Sequence, residues 1–243
     1  MPSNPSEFVT LAGGKMYIDR YIDGKPSGKW QYFGLTTSPS VSIDMETLEH
    51  INTEGPTQSV DKTIVKKQNG TMSWSSDQID LEMLARAFYG EVVTQTANDK
   101  VITIDGAMIG DLVDTGATGA SVDIAGLIVD EDYKYNKKTG LVEFLTEQSG
   151  KLEISVSGGA IPPSVEAFKN TKLEAALMFV GESATGTQLK VTFYKCSIRQ
   201  DGEFSLKGDD WLNIGFSADI LKDETKDPTK GSQFFKIEYL GSN

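Results

Sequence analysis

The sequence has few of the residues from which enzymes commonly build their active sites. Its 243 residues include one histidine, His50, and one cysteine, Cys196. A single histidine excludes a metal site with two histidine ligands from one chain, and a single cysteine excludes an intrachain disulfide. Cys196 stands among apolar neighbours in VTFYKCSI, so we expect a buried, structural thiol. His50 stands in a polar segment, where a solvated side chain is expected more than a catalytic base.

Long apolar runs are also missing. No stretch approaches the ~18 apolar residues that a membrane-spanning helix needs, and the N-terminal MPSNPSEF lacks the basic start and apolar core of a signal peptide. We therefore expect synthesis in the cytoplasm and no membrane partner. The 24 glycines and 8 prolines are scattered, with no Gly/Ser tract or fixed-period repeat to mark a linker. This favours a single domain over residues 1–243.

Basic residues are outnumbered, with 23 Lys and Arg against 35 Asp and Glu, which gives a formal charge of −12. Affinity for nucleic acid comes from clustered Lys and Arg that release counterions from phosphates. An acidic surface repels DNA and keeps a protein soluble. We therefore expect no tight binding of nucleic acid.

Three patterns come close to functional motifs but lack necessary residues. Gly181–Thr187 has the two glycines of a phosphate-binding loop but no lysine, and Asp130–Asp132 begins a calcium-like loop in which Tyr135 replaces the turning glycine. A glycosidase would need two carboxylates at a fixed separation, which sequence does not give. The pairs available for that role are Glu203/Asp209 and Asp209/Asp210. We predict that the protein is not an enzyme and needs no cofactor or metal, with a β-rich hydrolase as the remaining enzymatic hypothesis.

Alternation of apolar and polar residues, which is typical of half-buried strands, recurs along the chain. Ser40–Met45 places Val41, Ile43 and Met45 on one face, and residues 212–220 form the clearest strand pattern. The turn NKKTG predicts a hairpin. Residues 165–176 contain helix-favouring residues, but the alternation that begins at Leu173 favours a strand over Leu173–Val180. In the strand that begins at Leu189 the apolar face switches, which predicts a bulge near Phe193.

One helix is expected, over residues 77–89. Its apolar residues recur at helical spacing, and Ser76 and Asp77 offer side chains that can cap its first N–H groups. Gly90 is expected to end it in the left-handed conformation. The fold class predicted from these elements is mainly β, with two packed antiparallel sheets, a β-sandwich or partial barrel, and one flanking helix.

A long polar segment, residues 46–62, separates two early strands. It contains Gly55-Pro56 and no sustained period, so we predict an irregular loop. Loops of this length usually have a function of their own or are disordered. Residues 1–12, with Pro2 and Pro5, are expected to form an N-terminal arm.

The order of these elements resembles the major tail tube protein of long-tailed, siphovirus-type bacteriophages. The residues that carry the resemblance are GLTTSPSVSIDMETLEH at 34–50, TMSWSSDQIDLEMLARAFYG at 71–90, and VTFYKCSIRQDGEFSLKGDDWLNIGFSADILKD at 191–223. The similarity extends from Gly13 to about Tyr239, but residues 91–160 match only in outline and form an elaboration. These segments are structural, and none is a catalytic signature.

The resemblance implies that six subunits close into a ring and that rings stack into a tube for genome delivery. The loop 46–62 would reach the adjoining ring, and the arms 1–12 and 222–243 would cross between subunits. The residues expected to make the inter-ring contact are Glu46, Leu48, Glu49, His50, Ile51, Glu54, Asp61 and Lys62.

The partners implied by the resemblance are other copies of the chain and the tape measure, tail tip and terminator proteins at the tube ends. DNA would pass through the lumen without specific binding. The protein would be assembled in the bacterial cytoplasm and located in the virion tail. The alternative is a monomeric β-sandwich that binds a ligand or acts in adhesion through exposed Trp30, Trp74 or Trp211.

Overall fold

The computed structural model describes residues 13–52, 59–182 and 188–240. The chain divides into two compact units, of which unit 2 is Val92–Glu166 and unit 1 is the remainder. Each unit has its own hydrophobic cluster, whereas the sequence predicts a single domain over residues 1–243. Unit 2 corresponds closely to the segment 91–160 that the resemblance sets apart. No helix in the described part of the chain is long and apolar enough to cross a membrane.

The described chain is mainly β with one short helix, which confirms the predicted fold class. The helix, α1, is Leu81–Ala87. In chain order the strands are β1 (Gly13–Ile22), β2 (Lys25–Pro26), β3 (Gln31–Tyr32), β4 (Thr36–Asn52), β5 (Ser59–Ser76), β6 (Glu91–Val93), β7 (Lys100–Ala107), β8 (Leu112–Asp114), β9 (Ser121–Ile124), β10 (Tyr133–Asn136), β11 (Leu141–Phe144), β12 (Gln148–Ser157), β13 (Ser164–Glu166), β14 (Leu173–Glu182), β15 (Leu189–Asp201), β16 (Ile214–Leu221) and β17 (Phe235–Tyr239).

The sheet of unit 1 curls into a partial barrel. Its strands follow the order β2-β1-β14-β15-β16-β5-β4, with β3 beside β1 and β17 beside β15. Phe33 bridges strands that lie far apart in this order. Its N–H donates to the carbonyl of Met16 in β1 at 2.9 Å. Its ring meets Trp74 of β5 and Phe216 of β16 edge to face, each at a centroid distance of 5.3 Å. The strands of unit 1 therefore form one continuous layer that wraps around its core.

Most of the alternating segment at 212–220 lies in β16, between β15 and β5, whereas Leu212 precedes the strand and is 40% exposed. Ile214, Phe216, Ala218 and Ile220 of β16 are all buried, as the period-2 pattern predicts. Burying a side chain of the size of Ile or Phe stabilises a fold by about 1.5–3 kcal/mol. This face of β16 therefore contributes a large share of the stability of unit 1.

A bulge lets β15 turn two sets of side chains toward the core. Ala175 of β14 lies opposite Cys196, whereas Leu177 lies opposite Phe193, so β15 has one more residue than β14 between these pairs. Phe193 and Cys196 are consequently both buried. This confirms the bulge predicted near Phe193. On its other edge, β15 pairs with β17 before the bulge and with β16 after it.

The helix begins later than predicted, at Leu81 instead of residue 77. Asp80 is the N-cap, and its Oδ1 accepts the N–H of Met83 at 2.8 Å. Ser76, expected to cap the helix, instead donates its hydroxyl to the carbonyl of Leu35 at 2.8 Å. The polar residues before the helix therefore have different roles from those that the sequence suggests.

Tyr89, and not Gly90, takes the left-handed conformation that ends the helix. Tyr89 has a φ of 50° and so takes the left-handed conformation. Gly90 follows it and donates its N–H to the carbonyl of Ala85 at 2.8 Å, which satisfies one of the last helical carbonyls. In the last turn, the Arg86 guanidinium donates to the carbonyl of Phe33 at 3.0 Å. Burial lowers the pKa of Arg86 from its usual value.

The prediction of an irregular loop is wrong for residues 46–52 and 59–62, which are strand. Residues 53–58 lie outside the described residues. β4 and β5 pair along their whole length as an antiparallel hairpin, here called the long hairpin. Lys66 and Asp61 are extra residues in β5, at two register shifts. These shifts, together with Gly55-Pro56, break the alternation by which a strand is recognised in sequence.

Unit 2 is a small β-sandwich of two three-stranded antiparallel sheets, β10-β11-β8 and β7-β12-β9. Val142 and Phe144 from the first sheet pack in one cluster with Ile124 and Ile154 from the second. The NKKTG turn connects β10 to β11, which confirms the predicted hairpin, and Gly140 supplies a φ of 74° there. The chain enters and leaves the unit through β6 and β13, which pair with each other.

The C-terminal segment 222–243 was expected to be an arm that crosses between subunits; in the single chain its described part lies on unit 1. β17 pairs with β15 of the same chain. Phe235 lies directly opposite Phe193, with ring centroids 5.5 Å apart, so the segment packs against apolar side chains of unit 1. The expected N-terminal arm, 1–12, and residues 241–243 lie outside the described residues.

Candidate functional site

The outer edge of β4 is the longest free strand edge in the described chain. β4 stands at the end of the strand order and pairs with β5 alone. Its 17 residues extend over about 55 Å at ~3.3 Å per residue. A free edge exposes unpaired N–H and C=O groups that can pair with another strand. Soluble monomers seldom leave an edge of this length open.

Apolar side chains line the base of the long hairpin. Val41, Ile43 and Met45 share one face of β4, and each keeps roughly half of its surface exposed, at 45%, 55% and 54%. The sequence pattern correctly places them on one face but predicts partial burial against the core. They are exposed because the strands continue beyond that core. Val41 lies opposite Met72, which is buried, so this apolar stripe is continuous with the core of unit 1.

A groove of about 240 Å³ runs between the hairpin base and the C-terminal segment. It is lined mainly by Ile43, Met45, Gly70, Ile220, Phe234 and Phe235. A Cβ at Gly70 would lie 2.9 Å from Cδ1 of Ile220, so a larger residue there would displace the side chain that forms the groove floor. The groove therefore extends the exposed apolar surface of the hairpin toward β17.

The outer half of the long hairpin has apolar side chains on both faces. Leu48 lies opposite Ile64 on one face, and Ile51 lies opposite Val60 on the other. All four are at least half exposed, at 56%, 51%, 50% and 50%. An exposed apolar patch on both sides of a two-stranded ribbon is typical of a surface that is covered in an assembly.

Two polar pairs connect the strands of the hairpin. Nζ of Lys66 lies 3.0 Å from a carboxylate oxygen of Glu46, and Nδ1 of His50 lies 2.6 Å from Oδ1 of Asp61. Exposed pairs of this kind contribute roughly 0–1 kcal/mol each. His50 is exposed, as predicted, but it belongs to a strand and not to a loop.

The other residues expected at the inter-ring contact also lie on the hairpin. Glu49 is opposite Thr63, and Lys62 is opposite His50. Glu54 lies outside the described residues. The predicted contact did not include the exposed apolar residues Ile43, Met45, Val60, Ile64 and Val65. The signal that could have found them is the run of β-branched residues in SVDKTIV, which has the composition of a strand.

Catalytic arrangements have little geometric support in the described chain. Glu203 lines a groove of about 430 Å³ with Ser73 and Ser75, but Asp209 and Asp210 are exposed and do not line it. Burial raises the pKa of the Cys196 thiol to about 12, which disfavours a nucleophilic thiolate. No cluster of three or more His, Cys, Asp or Glu suited to a metal occurs among the described residues. Most of the Gly181–Thr187 pattern lies outside them.

The three tryptophans differ in exposure. Trp74 is buried in the core of unit 1, stacked against Phe216 at a centroid distance of 5.6 Å, so it offers little surface to a ligand. Trp30 is 38% exposed and Trp211 is 92% exposed. The ligand-binding alternative therefore loses one of its three aromatic contacts.

Comparison with known proteins places the chain in a family. The family model described as "Protein of unknown function UCP028589" matches residues 9–238, which include nearly the whole of both units. No match was found among the curated proteins. The chain therefore belongs to the family described as Protein of unknown function UCP028589.

Proposed function

We propose that this chain is a structural subunit that assembles into stacked six-membered rings and forms the tail tube of a long-tailed bacteriophage. The observation that carries the proposal is the outer edge of β4, which pairs with no other described strand between Thr36 and Ile51. A closed ring pairs such an edge with the next subunit and so removes an aggregation hazard. The resemblance described above supplies the specific form of the assembly.

The exposed apolar residues of the long hairpin support the same proposal. Val41, Ile43 and Met45 at the base, and Leu48 and Ile51 farther out, would be covered by neighbouring subunits. Covering each of them stabilises an interface in proportion to the apolar area removed from water, at about 25 cal/mol per Å². The polar pairs of the hairpin would set its register against a neighbour, because complementary charge directs docking more than it adds affinity.

The acidic composition suits a conduit for DNA. The chain carries a formal charge of −12, and a negative surface repels phosphates. In the proposed tube, DNA passes through the lumen without specific binding, and other tail proteins contact the two tube ends. The protein would then be a virion component with no catalytic activity and no cofactor.

Replacement of Leu48–Lys62 by a short Gly/Ser linker tests this proposal. The core of unit 1 does not include these residues, so we expect a folded, soluble subunit that no longer forms tubes. Thermal unfolding and electron microscopy of the same preparations give the comparison. The matched control replaces the exposed segment Ser205–Asp210 by a Gly/Ser segment of equal length and is expected to form tubes. Normal tubes from the shortened hairpin would show that the hairpin is not the stacking element, and absence of tubes from the unaltered chain would contradict the proposed function itself.

A further inference from the structure

One end of unit 2 lies far from the points where the chain enters and leaves it. β7 begins at Lys100, opposite Val156 of β12, and ends at Ala107, opposite Gln148. The chain enters before Lys100 and leaves after Ser157, so the end marked by Ala107 and Gln148 is distal to both connections. Two turns extend this distal end, Met108–Asp111 and Ile128–Asp132, and together they are called the tip.

The first turn presents Met108 and Ile109 to solvent, each 71% exposed. Backbone and carboxylate hydrogen bonds fix this turn. Oδ2 of Asp111 accepts the N–H of Met108 at 2.8 Å, and Gly110 donates its N–H to the carbonyl of Phe144 at 2.8 Å. Phe144 is buried in the core of the unit, so the turn is anchored on a rigid strand.

The second turn presents Ile128 and Val129, 58% and 50% exposed. Oδ2 of Asp132 accepts the N–H of Ile128 at 2.9 Å. The carbonyl of Asp132 accepts the N–H of Leu145 at 2.7 Å, one residue beyond the anchor of the first turn. The two turns therefore flank the same point at the end of β11 and hold four aliphatic side chains in fixed positions.

The charges within the two turns and the adjoining segment have a single sign. Residues 107–111, 128–132 and 145–148 contain five carboxylates and no Lys or Arg. The carboxylates belong to Asp111, Asp130, Glu131, Asp132 and Glu147. The opposite end of the unit instead contains Lys100, Lys137 and Lys138. The tip is thus an apolar surface inside an acidic rim.

We propose that the tip of unit 2 is a docking surface for a different protein, one that presents an apolar groove rimmed by Lys and Arg. Exposed aliphatic groups on preorganised turns lose little conformational entropy on binding, which favours their use as anchors. The carboxylate rim complements a basic partner and repels nucleic acid and anionic lipid headgroups.

A second copy of this chain is a poor occupant for the tip. The apolar groove beside the long hairpin and the cavity lined by Met72, Phe179 and Phe193 have no Lys or Arg among their lining residues. They therefore lack the basic rim that would match the carboxylates. In the two grooves that contain Arg20, Arg86 or Lys172, Arg20 already pairs with Glu82 and Lys172 with Glu174. The tip presents the same aliphatic side chains and carboxylates to a partner whether or not the chain forms tubes.

Titration of the full chain with a synthetic amphipathic peptide of Lys and Leu tests the proposal, beside a matched peptide with Glu in place of each Lys. We expect the Lys peptide to bind, with an affinity that falls as salt rises, and the Glu peptide not to bind. The double variant Ile109→Asn/Val129→Asn should weaken binding of the Lys peptide by about tenfold or more. The variant Asp130→Asn/Glu131→Gln should weaken it less and reduce its salt dependence.

Val101→Asn is the control variant, because Val101 is 60% exposed and lies at the other end of β7. It should bind the Lys peptide as the unaltered chain does. The proposal fails if the Lys peptide does not bind, if the Glu peptide binds equally, or if the control loses as much affinity as the tip variant. Self-association or binding to neutral lipid vesicles that is lost only in the tip variant would also overturn it, because the occupant would then be a second copy or a lipid surface.

Discussion

Leu48 of β4 and Ile64 of β5 lie directly opposite each other in the long hairpin, and each keeps more than half of its surface exposed. A cross-strand pair of this kind contributes only about 0.2–1 kcal/mol to a sheet. In the isolated chain the pair therefore adds little to stability. The apolar surface of the pair would stabilise an assembly in which another chain covers it.

The double variant Leu48→Asn/Ile64→Asn should consequently separate folding from assembly. We expect its free energy of unfolding to fall by no more than about 1 kcal/mol, while tube formation is lost. Urea unfolding and electron microscopy measure the two properties. Val101→Asn, which changes an exposed residue of unit 2, should leave both unchanged. Tubes formed by the double variant at the usual concentration would speak against the proposed role of the pair.

The N-cap of the helix gives a test of the fold itself. Asp80→Ala removes the carboxylate that accepts the N–H of Met83 and should destabilise unit 1 by about 1 kcal/mol, within a range of roughly 0.5–2 kcal/mol. Asp77→Ala removes the cap that the sequence suggests and should change stability by less than about 0.5 kcal/mol. Equal effects of the two substitutions in urea unfolding would contradict the observed start of the helix.

Cys196 predicts a pH dependence at alkaline pH. Burial, with a smaller effect from Asp219, raises the pKa of its thiol from 9.0 to about 12. Between pH 9 and pH 12 the folded chain keeps the proton of the Cys196 thiol, whereas the unfolded chain releases it. The stability that this protonated thiol contributes is therefore complete below pH 9 and is lost as pH rises toward 12. Its slope approaches about 1.4 kcal/mol per pH unit.

The Cys196→Ala variant should lack this part of the slope, while the effect of Tyr21, whose pKa burial also raises to about 12, remains in both proteins. Urea unfolding between pH 8 and pH 11 measures the difference. In addition, a chromogenic thiol reagent should react with the unaltered chain only after unfolding. Rapid reaction of the folded chain at pH 8 would show that the thiol is accessible.

The charge of −12 predicts weak contact with DNA. We expect no retardation of duplex DNA in a gel at ~50 mM salt, for the subunit or for its assemblies. Tight binding at ~50 mM salt that weakens steeply by ~200 mM would reveal phosphate neutralisation by basic side chains and would be incompatible with a passive conduit.

Much of the sheet was predictable because its strands alternate cleanly. The alternation of 212–220 from Ile214 onward, the hairpin around NKKTG and the bulge near Phe193 are all observed. Each of these depends on local side-chain patterning or turn chemistry, which sequence records directly. The helix was found, but its exact start was not, because Ser76, Asp77 and Asp80 are all good caps and only tertiary contacts select among them.

The long hairpin was not predictable in the same way. Most hairpin strands have one face on a core, whereas this pair extends beyond its core, so no buried face imposes alternation on residues 46–52. The extra residues Asp61 and Lys66 disturb the pattern further in β5. The sequence also shows no boundary between the two units, because the chain enters and leaves unit 2 through short strands and not through a Gly- or Pro-rich linker.

Amide hydrogen exchange along β4, compared between dilute and concentrated protein, tests the pairing of its free edge most directly. Every second amide of an edge strand points away from its partner strand and exchanges with water. The proposed assembly predicts that these outward amides of Thr36–Ile51 exchange rapidly in the dilute chain and become protected when tubes form. Outward amides that exchange equally fast in the dilute chain and in its assemblies would contradict the proposal that β4 pairs with another subunit.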